Sequence, residues 1–180
     1  MYGLVNKAVK DMICKNFGES TWQQIRQRAG IEVDEFVRMD AYDDAITYQL
    51  VEAASELLKM PAADILQAFG EHWVVYTAKE GYGELIEANG RNLSEFLLNL
   101  ENLHARIGLV YADLKPPHFH CWQDTDSSIV VEYYSEREGL APMMIGLLKG
   151  VARVYATPVT IVQTGTKQQD EKDSFRVEIH

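Results

Sequence analysis

Cysteine is nearly absent from this 180-residue sequence, which has only Cys14 and Cys121. Two thiols are too few for a disulfide framework or a four-thiolate metal site. One falls in a predicted helix and the other in a predicted strand, so they read as small buried thiols rather than a bridge. Base is also in deficit: 17 Lys and Arg stand against 27 Asp and Glu, a net charge of −10. Phosphate backbones are bound by clustered Lys and Arg, so nucleic acid is excluded as a partner. The same charge disfavours an anionic membrane surface. No stretch approaches the ~20 apolar residues that cross a bilayer. The start, Met1-Tyr2-Gly3-Leu4-Val5-Asn6-Lys7, lacks the continuous apolar run of a signal peptide. The expectation is a cytoplasmic protein with neither nucleic acid nor membrane as partner.

What is present is an ordinary globular mixture, 47% hydrophobic and 24% charged. The length suits a single domain over residues 1–180. A chain of this size removes roughly 70% of its surface from water, enough core to enclose a flat ligand. Acidic groups such as Asp40, Asp43 and Asp44, or Asp170, Glu171 and Asp173, read as solvated surface.

Apolar spacing predicts helix over the first two-thirds. Leu4, Val5, Ala8, Val9, Met12 and Ile13 form a stripe that Gly18 ends. Ser20-Thr21 offers a cap for a second helix with Trp22 and Ile25. A long helix follows near 43–59, then a short one from Pro61 that stops at Gly70. Another strong helix spans about 92–110. Beyond Pro116-Pro117 the pattern changes: His118–Trp122 and residues 127–134 read as strands, Gly139 to Ala156 as helix. The end alternates, through Val159, Ile161 and Gln163, then Phe175, Val177 and Ile179. The fold class is α+β: a mostly helical N-terminal lobe packed on a C-terminal antiparallel sheet with an additional helix.

In the helix over 92–110, Leu93, Phe96, Leu97, Leu100, Ile107 and Tyr111 share one face, and His104 lies on that stripe. A buried imidazole must satisfy its polar nitrogens or lose roughly 1–3 kcal/mol. It is either a satisfied core histidine or an axial ligand to a haem iron, which needs a neutral imidazole held in an apolar slot. Spacing alone does not choose. Tyr133, Ser135 and Arg137 alternate in a strand-like segment and so face one side, the outer two about 13 Å apart at ~3.3 Å per residue. A phenol, a hydroxyl and a guanidinium in that array suit adjacent carboxylates, such as the two propionates of a haem. The bland reading is a polar strand face with Arg137 paired to Glu136 or Glu138.

The run Tyr133-Tyr134-Ser135-Glu136-Arg137 contains the Tyr-x-Ser-x-Arg signature of the H-NOX (haem–nitric oxide/oxygen) family. Met1-Tyr2-Gly3-Leu4-Val5-Asn6, Tyr42-Asp43-Asp44, Ala53-Ala54-Ser55, Phe69-Gly70, Gly81-Tyr82 and Asn99-Leu100-Glu101-Asn102-Leu103-His104 resemble that family as well. The resemblance covers essentially all 180 residues in order, and is strongest to the haem domain of the soluble guanylate cyclase beta subunit and its stand-alone bacterial relatives. It implies haem b between the two lobes, His104 as the iron ligand, and Tyr133, Ser135 and Arg137 on the propionates. It also implies that Pro117 presses the porphyrin and that Val5 packs against it. The family's oxygen-holding tyrosine position falls on Met143, with Leu147, Val9 and Val74 as apolar neighbours. Thioether and aliphatic chains offer no good hydrogen-bond donor, which favours nitric oxide and carbon monoxide over oxygen. Trp73, whose indole N–H is a donor, resembles a distal position too; its other reading is a core aromatic.

The expected function is a haem-based gas sensor rather than an enzyme. With no effector segment after the sheet, it signals to a separate protein, such as a histidine kinase or a cyclic-nucleotide or dinucleotide enzyme. Two other classes compete: a haem-free module for an apolar ligand, and a peroxidase-like enzyme. The last would need a distal acid–base group that the expected pocket lacks. His118 and His120 share a strand face and would make a metal pair without a third ligand.

Overall fold

The computed structural model describes residues 1–110 and 115–180. Tyr111, expected at the end of the His104 stripe, lies outside the described residues.

The helical lobe opens with α1 (Gly3–Phe17), whose buried face of Leu4, Ala8, Val9, Met12 and Ile13 follows the predicted spacing. Gly18, at φ 88°, ends it and serves directly as the N-cap of α2 (Glu19–Arg28). The expected Ser20-Thr21 cap is therefore not used: both residues lie inside α2, and the Thr21 hydroxyl donates back to the Phe17 carbonyl at 2.7 Å. Helix α3 (Asp44–Leu58) starts where the Asp43 carboxylate accepts the Ala45 N–H, satisfying a donor the helix cannot.

Helix α4 (Ala62–Thr77) runs straight through Gly70, against the expected stop. The glycine is there for proximity. A Cβ on Gly70 would sit 2.2 Å from the Met143 carbonyl oxygen of α8 (Ala141–Val154), and one on Gly146 would sit 2.0 Å from that of Gln67. Bare backbone thus lets the two helices touch at the seam between the lobes.

A kinked turn, Ala78–Tyr82, with Gly81 at φ 101°, leads to α5 (Gly83–Ala88). The single helix expected over 92–110 is two: α6 (Leu93–Leu98) and α7 (Leu100–Val110). They are parted at Asn99 (φ −100°, ψ 8°), whose amide donates to the Asn89 carbonyl at 3.0 Å. Asn and Asp compete for backbone groups with their own side chains, which favours such a break.

The C-terminal lobe is an antiparallel sheet in the order β1-β2-β4-β3, formed by β1 (His118–Thr125), β2 (Ser128–Tyr134), β3 (Val159–Gly165) and β4 (Asp173–Ile179). A short helix, α9 (Lys167–Asp170), joins β3 to β4. Ile129, Val131, Tyr133, Phe175 and Val177 point from β2 and β4 into a core shared with α6 and α8. A second core fills the helical lobe around Trp22, Ile25, Leu50 and Phe69. The α+β architecture is as expected. Trp122, expected to pack, is instead exposed on the outer sheet face, and both cysteines are half-buried and unbridged. Among the described residues, no helix is long and apolar enough to cross a membrane.

Candidate functional site

Between the lobes lies a cavity of about 330 Å³, within the usual range for small-molecule sites. Helices α1 and α4, the seam helix α8, helix α7 and the inner sheet face all contribute walls. Nine of the eleven residues singled out from the sequence line it: Val5, Trp73, Val74, His104, Pro117, Tyr133, Arg137, Met143 and Leu147. Val9 and Ser135 do not. Val9 is buried in the helical core, 2% exposed, one turn behind Val5.

His104 reaches the cavity from the face of α7 that also carries Leu100 and Ile107. Its Nδ1 stands 2.9 Å from the Leu100 carbonyl oxygen, one turn back. A carbonyl only accepts, so Nδ1 holds the proton and Nε2 keeps its lone pair. Burial pushes the imidazole pKa down, outweighing the opposing pull of that carbonyl and of Glu101. The ring is therefore neutral near pH 7, with one nitrogen committed and the other able to ligate a metal. Phe119 of β1 packs on it, ring centroids 4.7 Å apart.

The expectation that Tyr133, Ser135 and Arg137 share one strand face is corrected. Strand β2 ends at Tyr134, and residues 135–139 form a loop that leaves the sheet toward α8. Tyr133 alone projects from the strand, inward, beside Phe119 at 5.6 Å. The Ser135 hydroxyl caps the loop by accepting the Arg137 N–H at 3.1 Å. Arg137 reaches the cavity rim, where its Nε donates to Asp44 Oδ2 at 2.7 Å. Asp44 also receives the Met1 ammonium. Burial alone would raise the Asp44 pKa, but the ammonium and the guanidinium outweigh it and hold the carboxyl below its ordinary range. Nor does Arg137 pair with Glu136 or Glu138; Glu136 pairs with Lys115 at 2.9 Å.

Sequence reasoning overlooked three residues here. Glu101, on α7, accepts the Phe119 N–H of β1 at 2.7 Å and the His118 imidazole at 3.1 Å. It ties the helix that bears His104 to the sheet. Asp44 was visible only as an acidic neighbour. Lys167 touches the loop after β2 from a distant turn. Glu101 and Asp44 both lie inside runs already quoted, so a carboxylate one turn from His104 was the available signal.

His118 and His120 point outward from β1 and pair with Glu101 and Glu132. Among the described residues, no three His, Cys, Asp or Glu side chains converge as a metal site. Three hydroxyls of the cavity wall are committed to protein acceptors. Thr47 donates to Asn6, Tyr48 to the Glu138 carbonyl and Thr77 to the Trp73 carbonyl.

Residues 2–163 match the family described as haem-NO-binding. The soluble guanylate cyclases gcy-32 and gcy-34 of Caenorhabditis elegans are 33% and 31% identical to this chain across all of it. The chain spans only 27% of the length of each, about a quarter of these curated relatives. Among solved structures, an H-NOX protein from S. oneidensis in the Fe(II)NO ligation state has a TM-score of 0.91 at 19% identity, covering 100% of this chain and 99% of that one. An oxygen-binding H-NOX domain related to soluble guanylate cyclases has a TM-score of 0.83 at 16% identity, covering 99% and 95%. At those identities the likeness is one of fold.

Proposed function

This chain belongs to the haem-NO-binding family, and from that membership we propose that residues 1–180 act as one haem-based sensor domain for nitric oxide and carbon monoxide. In this reading haem b sits in the cavity between the lobes, with His104 as its protein ligand. The single observation that carries it is the geometry of His104: half-buried on the wall of an apolar cavity and clamped through Nδ1 to the Leu100 carbonyl, so that Nε2 is left as a ligand donor. Haem, when bound, would supply an iron able to bind a diatomic gas, and His104 would be the residue that holds it.

The other walls fit the same group. Arg137 holds a carboxylate, that of Asp44, at the rim, which supports its reading as a donor to a propionate. Tyr133 stands on the same side, its phenol pKa raised by burial against the opposing Ser135 hydroxyl and the Arg137 charge, so it stays a protonated donor. Val5 and Pro117 line the cavity and would offer apolar contact to a porphyrin. Met143, Leu147 and Val74 bring no strong donor to the wall away from α7, and this supports exclusion of oxygen, which gains from a distal hydrogen bond. Trp73 is the donor nearest that argument. Its ring packs edge-on against Phe69, centroids 6.0 Å apart, as a core aromatic does.

Signalling follows from where His104 sits. Helix α7 is cut from α6 at Asn99 and meets the sheet through Glu101 and Phe119. We propose that this short, separately anchored helix is the element whose position a bound ligand would bias through His104. Its outer face, including Asn102, Ala105 and Leu109, is exposed and offers a surface to an effector. We propose that this effector is a separate histidine kinase or cyclic-nucleotide or dinucleotide enzyme.

The test is optical. Protein loaded with haem and reduced should give a five-coordinate ferrous spectrum that shifts with nitric oxide and with carbon monoxide but not in air. Protein that stays colourless with haem in excess would favour a haem-free apolar-ligand module, and a stable oxygen spectrum would refute the selectivity.

A further inference from the structure

The loop from Ser135 to Gly139 must hold Ser135 and Arg137 in place without a ladder, because sheet pairing of β2 with β4 stops at Tyr133↔Asp173. Its carbonyls need donors from elsewhere. Tyr48 of α3 supplies one, to the Glu138 carbonyl at 2.8 Å. Lys167 supplies two more and pairs with a carboxylate of the same loop. Its Nζ stands 2.6 Å from the Ser135 carbonyl oxygen, 3.4 Å from that of Arg137, and 2.6 Å from the Glu138 carboxylate. The lysine is itself fixed at its root: buried Asp173 of β4 accepts the Lys167 N–H at 3.1 Å and the Gln163 side-chain amide at 3.1 Å.

We propose that Lys167 is a positioning residue that sets the carboxylate grip of Arg137, acting through the backbone of the loop and not by touching the ligand. This rests on the reading that the rim holds the propionates of a haem. The three donor directions of an ammonium match three acceptors within residues 135–138 of one loop. Only 21% of the lysine side chain is exposed, so its two carbonyl bonds are better shielded than the ion pair with Glu138, whose side chain is 72% exposed. Without them the loop keeps Tyr48 and the Ser135–Arg137 turn, but loses the charge-assisted bonds that fix where the guanidinium starts.

The experiment compares Lys167→Met and Lys167→Arg with the unaltered chain in two assays. First, amide exchange in the haem-free protein should quicken across residues 135–138 in K167M and stay near normal in K167R. Second, K167M should release haem about tenfold faster, the equivalent of one lost charge-assisted bond, while haem dimethyl ester, whose propionates are capped, should leave all three proteins at the same rate. Equal acceleration for both porphyrins would make Lys167 a general stabiliser and overturn the proposal, as would unchanged haem release in K167M. His104→Gly is measured alongside. Normal ligation in that variant would sink the haem reading itself, whereas a loss of ligation there with no effect of K167M would sink only the role of Lys167.

Discussion

Replacing Gly146 by alanine tests whether the lobes are joined by backbone contact. The added Cβ would lie 2.0 Å from the Gln67 carbonyl oxygen and 3.1 Å from the Gln67 Cα. Both neighbours are backbone of α4, so no side chain can rotate away. Contacts below 3.0 Å are not tolerated, so α4 and α8 must part by at least 1.0 Å, the difference between 3.0 and 2.0. Overpacking of this kind costs about 1–3 kcal/mol, and a rigid backbone clash belongs at the top of that range. For a domain of this length each kcal/mol lowers Tm by roughly 2–4 °C, so about 3 kcal/mol is a fall of roughly 6–12 °C. Gly108→Ala is the matched control, because its nearest new neighbour is Pro116 Cγ at 3.5 Å, an ordinary contact. Removing a glycine from a helix there should stabilise by up to about 0.5–1 kcal/mol. Thermal unfolding followed by far-ultraviolet circular dichroism reads both. A G146A variant as stable as its parent, or a G108A variant that falls equally far, would refute this account of the seam.

Two further outcomes are expected. Met143→Tyr places a phenol donor on the cavity wall and should give reduced, haem-loaded protein a measurable affinity for oxygen by absorbance titration; no oxygen binding would count against Met143 facing the gas. Glu101→Gln weakens the tie from α7 to β1, and since Glu101 is half exposed the cost near pH 7 is only about 0.5–1 kcal/mol. The Phe119 N–H, more than the opposing burial, holds the Glu101 carboxyl below its ordinary 4.5. The stability it contributes is therefore present above pH 4.5 and lost as pH falls through the lower folded value. The gap between parent and variant in denaturant titrations should close on that acid limb. A gap that widened there would reverse the sign.

Much of this was legible in the sequence because burial leaves a period. The stripe of α1 and the alternation of β4 announce themselves, and so does the stripe that places His104 among Leu100 and Ile107. The misreadings share a cause: each residue was given its commonest local role where a tertiary contact had assigned another. Gly70 looked like a helix stop but serves a close helix crossing. The helix expected over 92–110 was to run unbroken through Asn99, which instead breaks it, with its amide drawn to Asn89. Alternation carried Tyr133 to Arg137 as one strand, although pairing ends before Ser135 and the loop is held by Tyr48 and Lys167 from remote segments. No local pattern encodes a partner 32 residues away, as Lys167 is from Ser135. The pairing of Asp44 with Arg137, 93 residues apart, was beyond reach for the same reason.

The most direct measurement is the ferrous spectrum of His104→Gly with and without added imidazole. If the Nε2 of His104 is the protein's bond to iron, the variant should lose its five-coordinate signature and haem affinity together, and millimolar imidazole filling the vacated space should restore both. A variant that keeps the parent spectrum without imidazole would contradict the assignment.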